Sequence, residues 1–484
     1  MTYKKWKIEK SNKQGISFSS ATVCLFLFLF LSFNLLYCQS SDSNYRQNVS
    51  ETIKTLEEIF NVEIKDDKNL LYEKKLDYSD WRIRQGNLEV SLANILAPFD
   101  LSFSKESDSL YRIVPFWYHR VSEAVGVERL NYLKNLYNNQ KTWNERKGLL
   151  KNCMYTALLL DKAPAMPKNK PVLTPKRIYG DYSVENIALE VIPGVFATGS
   201  VYKPYPLNGK NAIVLSPNGH FGGGRYRESQ QKRCATLARM GAIVVSYDLF
   251  AWGESQLQFP NEYHRNSIAQ TMQVLNGMRL LDYLVTIPGV DPERVGVTGG
   301  SGGGSHSLFL AALDDRIKVS VPVVMVSAHH SGGCPCESGR PIHLCGNGTT
   351  NVEIAAMAAP RPQLIISDGG DWTKNSPEVE IPFIKRIYGF FGKEELLKNA
   401  HFPEEVHDYG PSKRMVMYPF MAKYLKLNLR KIQNSSGDID ESSVVIEEEK
   451  TMKVFGENGE KLPANALKDI DELYAMFDEI NDKN

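Results

Sequence analysis

Short apolar segments alternate with helix-length amphipathic segments between about residue 179 and residue 430. The apolar segments are rich in β-branched residues and have the length of buried strands: 211–215, 242–247, 295–298, 319–326 and 363–367. The amphipathic segments include residues 270–285, 305–313 and 412–425. This alternation predicts an α/β domain over residues 179–430, with a mostly parallel sheet covered by helices on both faces.

A smaller α/β unit is predicted before it, at residues 45–115. Apolar side chains recur at a helical period at residues 53, 56, 59 and 60, and residues 61–65 alternate as a strand does. A second helix is expected at residues 88–96, followed by short strands at 101–104 and 111–114. Residues 116–178 form a partly helical connector, and residues 431–484 form an acidic C-terminal extension with a short helix at 465–480.

The order of elements in residues 45–115 resembles the short N-terminal module of secretins and TonB-dependent receptors. The phrase that carries the resemblance is Gly-Asn-Leu-Glu-Val-Ser-Leu-Ala-Asn-Ile-Leu at residues 86–96. The resemblance implies an interaction domain in the periplasm, whose partner would be an envelope protein.

Composition and charge narrow the class of protein. The chain has 484 residues, of which 42% are hydrophobic and 23% are charged, as is typical of a globular protein. A mostly disordered chain, a collagen-like fibre and a multi-span membrane protein are excluded. The 57 Lys and Arg residues against 56 Asp and Glu give a formal charge of +1, so nucleic acid is not an expected partner.

The first 38 residues have the three parts of a secretory signal peptide. Five lysines between positions 4 and 13 precede the apolar run 21–33, and a polar segment begins at Gln39. Cleavage after Cys38 is expected, with lipidation of Cys38 or an uncleaved anchor as the alternatives. In each case the rest of the chain is predicted to be exported, to the periplasm or to the medium.

The strongest chemical signal is the G-x-S-x-G element around Ser301. The strand at 295–298 runs into Gly-Gly-Ser-Gly-Gly at residues 299–303, and an amphipathic segment follows. A serine on such a strand-to-helix turn is the nucleophile of α/β-hydrolases. A phosphate-binding loop is excluded because neither G-x-G-x-x-G nor Gly-Lys-Ser/Thr can be placed here. Ser301 is therefore predicted to be a nucleophile.

The acid and the base of an α/β-hydrolase follow the nucleophile in the chain. The strand at 363–367 ends in Asp-Gly-Gly-Asp, where Asp371 is the first choice for the acid and Asp368 the alternative. His407, in the loop before the last helix of the domain, is the predicted base.

An oxyanion hole needs two backbone amides near the serine. Gly302, directly after Ser301, is predicted to supply one of them. The loop after the strand 211–215 is expected to supply the other, from His220 or Phe221. The choice between these two residues is open, and the His220 ring is expected to be structural.

About 250 residues of the chain resemble exported bacterial α/β-hydrolases, the acetylxylan esterases and cephalosporin-deacetylase-like carbohydrate esterases. The matching phrases are residues 291–303, Ala-Pro-Arg-Pro at 359–362, Gly-Asp-Trp-Thr at 370–373 and His-Asp-Tyr-Gly at 407–410. The chain departs from the acetylxylan esterase pattern at Gly302, where that pattern has Gln, and at Asp408, where it has Glu. The resemblance implies deacetylation of a sugar hydroxyl and the triad Ser301, Asp371 and His407.

The predicted function is a serine carboxylic-ester hydrolase that removes acetyl or similar small acyl groups from a saccharide, with no metal and no organic cofactor. One alternative is a serine peptidase of the prolyl-oligopeptidase type, which is disfavoured because no propeller-like repeat lies upstream. Another is a non-catalytic envelope-binding protein, which is disfavoured because Ser, Asp and His are all present. The natural ester, acetyl or a methyl or aryl ester of a uronate, is left open.

Five cysteines lie outside the leader, so at least one is expected to stay unpaired. A disulfide from Cys345 to Cys334 or Cys336 is predicted for an exported protein. These three cysteines and the histidines at positions 329, 330 and 343 form a metal-type cluster, but zinc is the less favoured use because ester hydrolysis does not require it. Trp252 and Trp372 are candidates to stack on a sugar ring, although simple packing is the more common use of a tryptophan next to glycine.

Overall fold

The structure, a computed structural model, describes residues 46–77, 79–99, 101–115, 120–207 and 209–479. The chain forms two compact units that divide between residues 116 and 117. The predicted leader, residues 1–38, lies outside the described residues. Of the helices in the described ranges, none is long and apolar enough to cross a membrane.

The first unit is a small α/β fold whose elements follow the hydrophobic pattern closely. Its helices are α1 (Val49–Phe60), α2 (Ser79–Arg82) and α3 (Leu88–Leu96), and its strands are β1 (Arg46–Asn48), β2 (Glu63–Lys65), β3 (Lys75–Asp77), β4 (Leu101–Ser107) and β5 (Leu110–Pro115). A three-stranded sheet has the order β2-β5-β4, and β1 pairs with β3. Leu56 of α1 and Leu92 and Ile95 of α3 are fully buried in one apolar core. This periodic burial is why the boundaries of α1 and α3 are readable from the sequence.

The second unit is built on a ten-stranded sheet of order β15-β14-β13-β12-β10-β11-β9-β8-β6, with β7 paired to β8. Its strands are β6 (Val172–Leu173), β7 (Arg177–Tyr179), β8 (Tyr182–Ile192), β9 (Val195–Pro204), β10 (Asn211–Leu215), β11 (Ala242–Tyr247), β12 (Val290–Gly300), β13 (Val319–Val323), β14 (Gln363–Asp368) and β15 (Leu397–Phe402). Strands β10 to β15 pair in parallel, whereas β6 to β9 are antiparallel. The predicted fold class, an α/β-hydrolase with a mostly parallel sheet, is confirmed.

Helices cover both faces of this sheet. The helices of the second unit are α4 (Glu123–Lys134), α5 (Gln140–Ala157), α6 (Glu228–Arg239), α7 (Ile268–Leu284), α8 (Gly302–Leu313), α9 (Pro335–Ser338), α10 (Asn351–Ala356), α11 (Ile381–Gly389), α12 (Pro411–Leu425), α13 (Glu449–Met452) and α14 (Ile470–Ala475). In β10, Ile213 and Leu215 join one apolar core while Ala212 and Val214 join the other. Both faces of the central strands are therefore buried, which explains their continuous apolar runs.

The segments on either side of residues 179–430 pack onto the same unit. Trp143 and Leu150 of α5 are fully buried in its main core, and so is Leu473 of α14 in the C-terminal extension. Arg146 of α5 forms a bidentate ion pair with Glu353 of α10, at 2.9 and 3.0 Å. The connector and the extension are therefore integral to the second unit.

The predicted disulfide partner of Cys345 is wrong. Cys345 is bonded to Cys153, and Cys334 and Cys336 are free thiols. The physical reason is the position of α5, which lies along the segment Pro341–Asn347 and brings Cys153 to a Cα–Cα distance of 5.6 Å. A local cluster of cysteines does not reveal such a distant partner.

Removing this disulfide is expected to destabilise the second unit. The bond spans a sequence separation of 192 residues, so its loss releases a large loop in the unfolded chain. We expect the double variant Cys153→Ala/Cys345→Ala to lower the free energy of unfolding by about 2–5 kcal/mol in urea denaturation. Cys234→Ala, which removes a buried free thiol, is the matched control and should cost about 1 kcal/mol. Equal midpoints for the two variants would contradict the disulfide.

Candidate active site

The predicted nucleophile lies in a sharp turn between β12 and α8. Ser301 has φ 57° and ψ −122°, a backbone conformation that is uncommon for any residue other than glycine. Its amide donates to the carbonyl of Val323 in β13 at 3.0 Å. The turn requires glycine at position 303, because a Cβ there would lie 2.3 Å from the carbonyl oxygen of Pro217. These contacts hold the serine at the carboxyl end of the sheet.

Ser301, His407 and Asp371 form one continuous chain of hydrogen bonds. Nε2 of His407 lies 2.8 Å from Oγ of Ser301, and its Nδ1 lies 2.6 Å from Oδ2 of Asp371. Asp371 follows β14 and His407 precedes α12, so the three predicted residues meet at one edge of the sheet. The structure therefore brings together all three side chains that the sequence singles out.

The two candidate acids have different surroundings. Burial opposes the charged form of Asp371, but hydrogen bonds from His407 and Thr373 outweigh it and lower its pKa. Burial and the neighbouring charge of Asp371 raise the pKa of Asp368 to about 6. Asp368 contacts Nζ of Lys413 at 3.1 Å, and it is Asp371 that contacts His407. The geometry therefore favours Asp371 as the partner of the histidine.

A buried lysine connects the loops that carry the acid and the histidine. Nζ of Lys413, in α12, lies 2.7 Å from Asp408, 3.1 Å from Asp368 and 3.2 Å from Glu405. It also donates to the carbonyl of Val406 at 3.0 Å. Asp408, which departs from the acetylxylan esterase pattern, thus contributes to this network beside the active site.

The candidate oxyanion loop, which follows β10 and contains Gly219, His220 and Phe221, packs directly against the turn at Ser301. A Cβ on Gly219 would lie 2.3 Å from the carbonyl oxygen of Gly300, and one on Gly302 would lie 2.8 Å from Nδ1 of His220. The Phe221 ring lies 5.8 Å from the ring of His407, measured between centroids. Gly302 opens α8, where helix amides are available to an anion. His220 and Phe221 both stay candidates for the second amide.

A cavity of about 380 Å³ opens beside Ser301. Trp252 and Trp372, the two candidates to stack on a sugar ring, line it together with Met325, His330 and Arg265. Trp372 lies between two histidines, with centroid distances of 4.1 Å to His330 and 4.4 Å to the catalytic candidate His407. Arg265 is exposed and brings a positive charge to the cavity. No motif in the sequence marks Arg265, and Met325 belongs to the apolar run 319–326, where one more apolar side chain does not stand out as a pocket residue.

The chain is similar to known esterases in sequence and in structure. The model of the acetyl xylan esterase family (AXE1) matches residues 271–331, which include the Ser301 turn. The chain is 44% identical in sequence to methylesterase BT1017, whose structure is solved. The match covers 91% of this chain and 97% of that protein, and the two structures superpose with a TM-score of 0.72.

Two curated relatives match shorter stretches. YtaP of Bacillus subtilis (strain 168) is 26% identical over 164 residues, which cover 30% of this chain and 54% of YtaP. YcjY of Escherichia coli (strain K12) is 33% identical over 110 residues, which cover 22% of this chain and 32% of YcjY. The chain thus matches about half or less of the length of these curated relatives. Its likeness to methylesterase BT1017 extends over nearly the whole of that protein, and the chain therefore belongs to the same family of carboxylic-ester hydrolases.

Proposed function

We propose that this chain is a serine esterase that works through an acyl-enzyme on Ser301. The observation that carries the proposal is the hydrogen-bonded chain from Ser301 through His407 to Asp371, with contacts of 2.8 and 2.6 Å. A hydroxyl is a weak nucleophile until an adjacent base accepts its proton, and a third group must orient that base. The three side chains have the contacts that these roles require.

In the proposed reaction, Nε2 of His407 takes the hydroxyl proton while Oγ of Ser301 attacks the ester carbonyl. The amides of Gly302 and of His220 or Phe221 donate to the oxygen that becomes negative. When the ester C–O bond breaks, His407 returns the proton to the leaving alcohol, and Asp371 stabilises the imidazolium in between. Water then attacks the acyl-enzyme by the same route and releases the acid and the free serine.

For the substrate we propose a methyl ester of a uronic acid within a saccharide. The 44% identity to methylesterase BT1017 supports a methyl ester rather than the acetyl ester that the sequence predicts. In a methyl ester the sugar acid is the acyl part and only methanol leaves. The cavity of about 380 Å³ is of the size that ligand pockets have, and it offers aromatic faces on Trp252 and Trp372. Arg265 suits a neighbouring carboxylate of an acidic saccharide.

Removal of an acetyl group is the second candidate. It is favoured by the acetyl xylan esterase family model, which matches the residues around the serine turn. The two reactions differ in the product that leaves the enzyme first, which is methanol from a methyl ester and a sugar from an acetyl ester. They can therefore be separated by measuring the small molecule that accumulates.

Methanol and acetate release from two polymers tests the substrate proposal. The purified chain is incubated with methyl-esterified polyuronate and with acetylated xylan, and Ser301→Ala is the control on both. We expect kcat/KM for methanol release to exceed that for acetate release by at least about tenfold, a difference of about 1.4 kcal/mol in transition-state binding. Faster acetate release would assign the acetyl ester, and release that Ser301→Ala retains would contradict the serine mechanism.

A further inference from the structure

Two histidines and two cysteines meet beside Ser301 without belonging to the triad. The donor atoms of His220, His264, Cys334 and Cys336 all lie within 4.8 Å of one another. Nε2 of His220 is 2.9 Å from Nε2 of His264 and 3.2 Å from Sγ of Cys336. Three of these side chains are buried and His220 is partly buried. Two imidazoles and two thiols converging on one point form a donor set of structural zinc sites.

The second nitrogen of each imidazole faces an oxygen. Nδ1 of His264 lies 2.6 Å from the carbonyl of Phe250, so in the neutral imidazole Nδ1 donates to that carbonyl and the lone pair of Nε2 faces the cluster. Nδ1 of His220 lies 3.9 Å from the carboxylate of Glu337, which itself accepts from Ser305 at 2.9 Å. Histidines that bind a metal usually direct their other nitrogen to a carbonyl or a carboxylate in this way.

Hydrogen bonds alone would leave the ring nitrogens and the thiols of this cluster with weak partners. In the neutral imidazole of His264 with its proton on Nδ1, Nε2 has no proton, so only one proton can lie between the two Nε2 atoms. Thiols are weak donors and weak acceptors, so Cys334 and Cys336 gain little from the imidazoles. A divalent cation, by contrast, would satisfy two nitrogens and two thiolates at once.

The cluster differs from the metal-type cluster suggested by the sequence. Cys334 and Cys336 belong to both, but Cys345 is in a disulfide. Nε2 of His343 contacts Asn351 at 2.9 Å. The two histidines at the cluster come instead from distant segments of the chain, because the fold brings the loops after three strands to the same edge of the sheet.

We propose that His220, His264, Cys334 and Cys336 bind one Zn²⁺ ion that ties the pocket loops together. His220 follows β10, His264 follows β11, and the two cysteines follow β13. Since all four ligands come from the protein, the site is closed and its role is structural. His220 packs against Gly302 beside the nucleophile, so the ion holds the candidate oxyanion loop in position. His220 is thus a positioning residue through its ring.

Metal content of the purified full chain tests this proposal. After purification without chelator, elemental analysis should find about one zinc per chain in the wild type. The double variant Cys334→Ser/Cys336→Ser and the single variant His264→Gln should each hold at least about fivefold less zinc, since each removes ligands. Cys234→Ala is the matched control because it removes a buried free thiol outside the cluster, and it should retain the ion.

A spectroscopic measurement separates loss of the ligands from loss of the fold. Wild-type chain that is stripped of zinc and loaded with Co²⁺ should show thiolate-to-cobalt charge-transfer absorption. The cysteine double variant should lack this absorption, while a circular dichroism spectrum equal to that of the wild type shows that it is folded. Ser301→Ala should lose hydrolysis but keep the ion, so failure of the zinc proposal and failure of the esterase proposal are distinguishable. Three results would overturn the zinc proposal. They are a wild-type chain that takes up neither Zn²⁺ nor Co²⁺, a cysteine double variant that retains zinc, and an intact mass that shows a Cys334–Cys336 disulfide.

Discussion

Ser301→Ala is expected to lower kcat for p-nitrophenyl acetate by at least about 10⁴-fold, because the variant has no hydroxyl to form the acyl-enzyme. An activated ester is a suitable probe because its leaving group departs without a proton from an acid and its release is read directly. The residual rate should come from the oxyanion amides and substrate binding alone. The measurement is steady-state release of p-nitrophenolate.

Ser307→Ala is the matched control for this variant. Ser307 lies in α8, the helix that follows Ser301, is fully buried, and donates to the carbonyl of Gly303 at 2.7 Å. The same change of serine to alanine should therefore leave kcat within about threefold, as for a substitution that costs less than 1 kcal/mol. If Ser301→Ala keeps more than about a hundredth of the activity, another group is the nucleophile.

Asp371→Asn is expected to lower kcat by about 10⁴-fold while KM changes little. Oδ2 of Asp371 accepts the Nδ1 proton of His407 at 2.6 Å and so keeps the lone pair of Nε2 directed at Ser301. The side-chain amide of asparagine can instead donate to Nδ1 of His407. This favours the tautomer that has its proton on Nε2, and Nε2 can then no longer accept the proton of Ser301. Because the pKa of Asp371 is lowered, its carboxylate stays charged at every pH above the usual range of an aspartate.

Asp368→Asn makes the same chemical change three residues away and serves as the control. Asp368 contacts Lys413, so its loss should lower kcat by less than about tenfold, as for a group that acts only through the network beside the triad. Burial and the charge of Asp371 raise the pKa of Asp368 to about 6, so the wild-type group is already neutral at lower pH. The variant should therefore resemble the wild type most below pH 6 and diverge as the pH rises. A larger loss for Asp368→Asn than for Asp371→Asn would exchange their roles.

Much of the fold and of the candidate site can be predicted from local patterns. The apolar runs of β10 and β11 have the predicted boundaries because both faces of these strands are buried. The long antiparallel strands β8 and β9 escape this pattern. Polar residues in β8 such as Asn186 interrupt its apolar run, yet Asn186 is buried and bonded to Arg177 at 2.9 Å. A buried polar residue with a partner is invisible to a hydrophobic count.

Features that depend on neighbours in the chain can be predicted from the sequence alone. These are the alternation of strands and helices, the glycines that allow the Ser301 turn, and the order of Ser301, Asp371 and His407. Three contacts become visible only in the folded chain: Asp371 rather than Asp368 meets His407, Cys345 bonds Cys153, and His220 and His264 meet two cysteines. The physical reason is that these contacts join segments far apart in the chain, and the order of strands in the sheet sets which segments become neighbours.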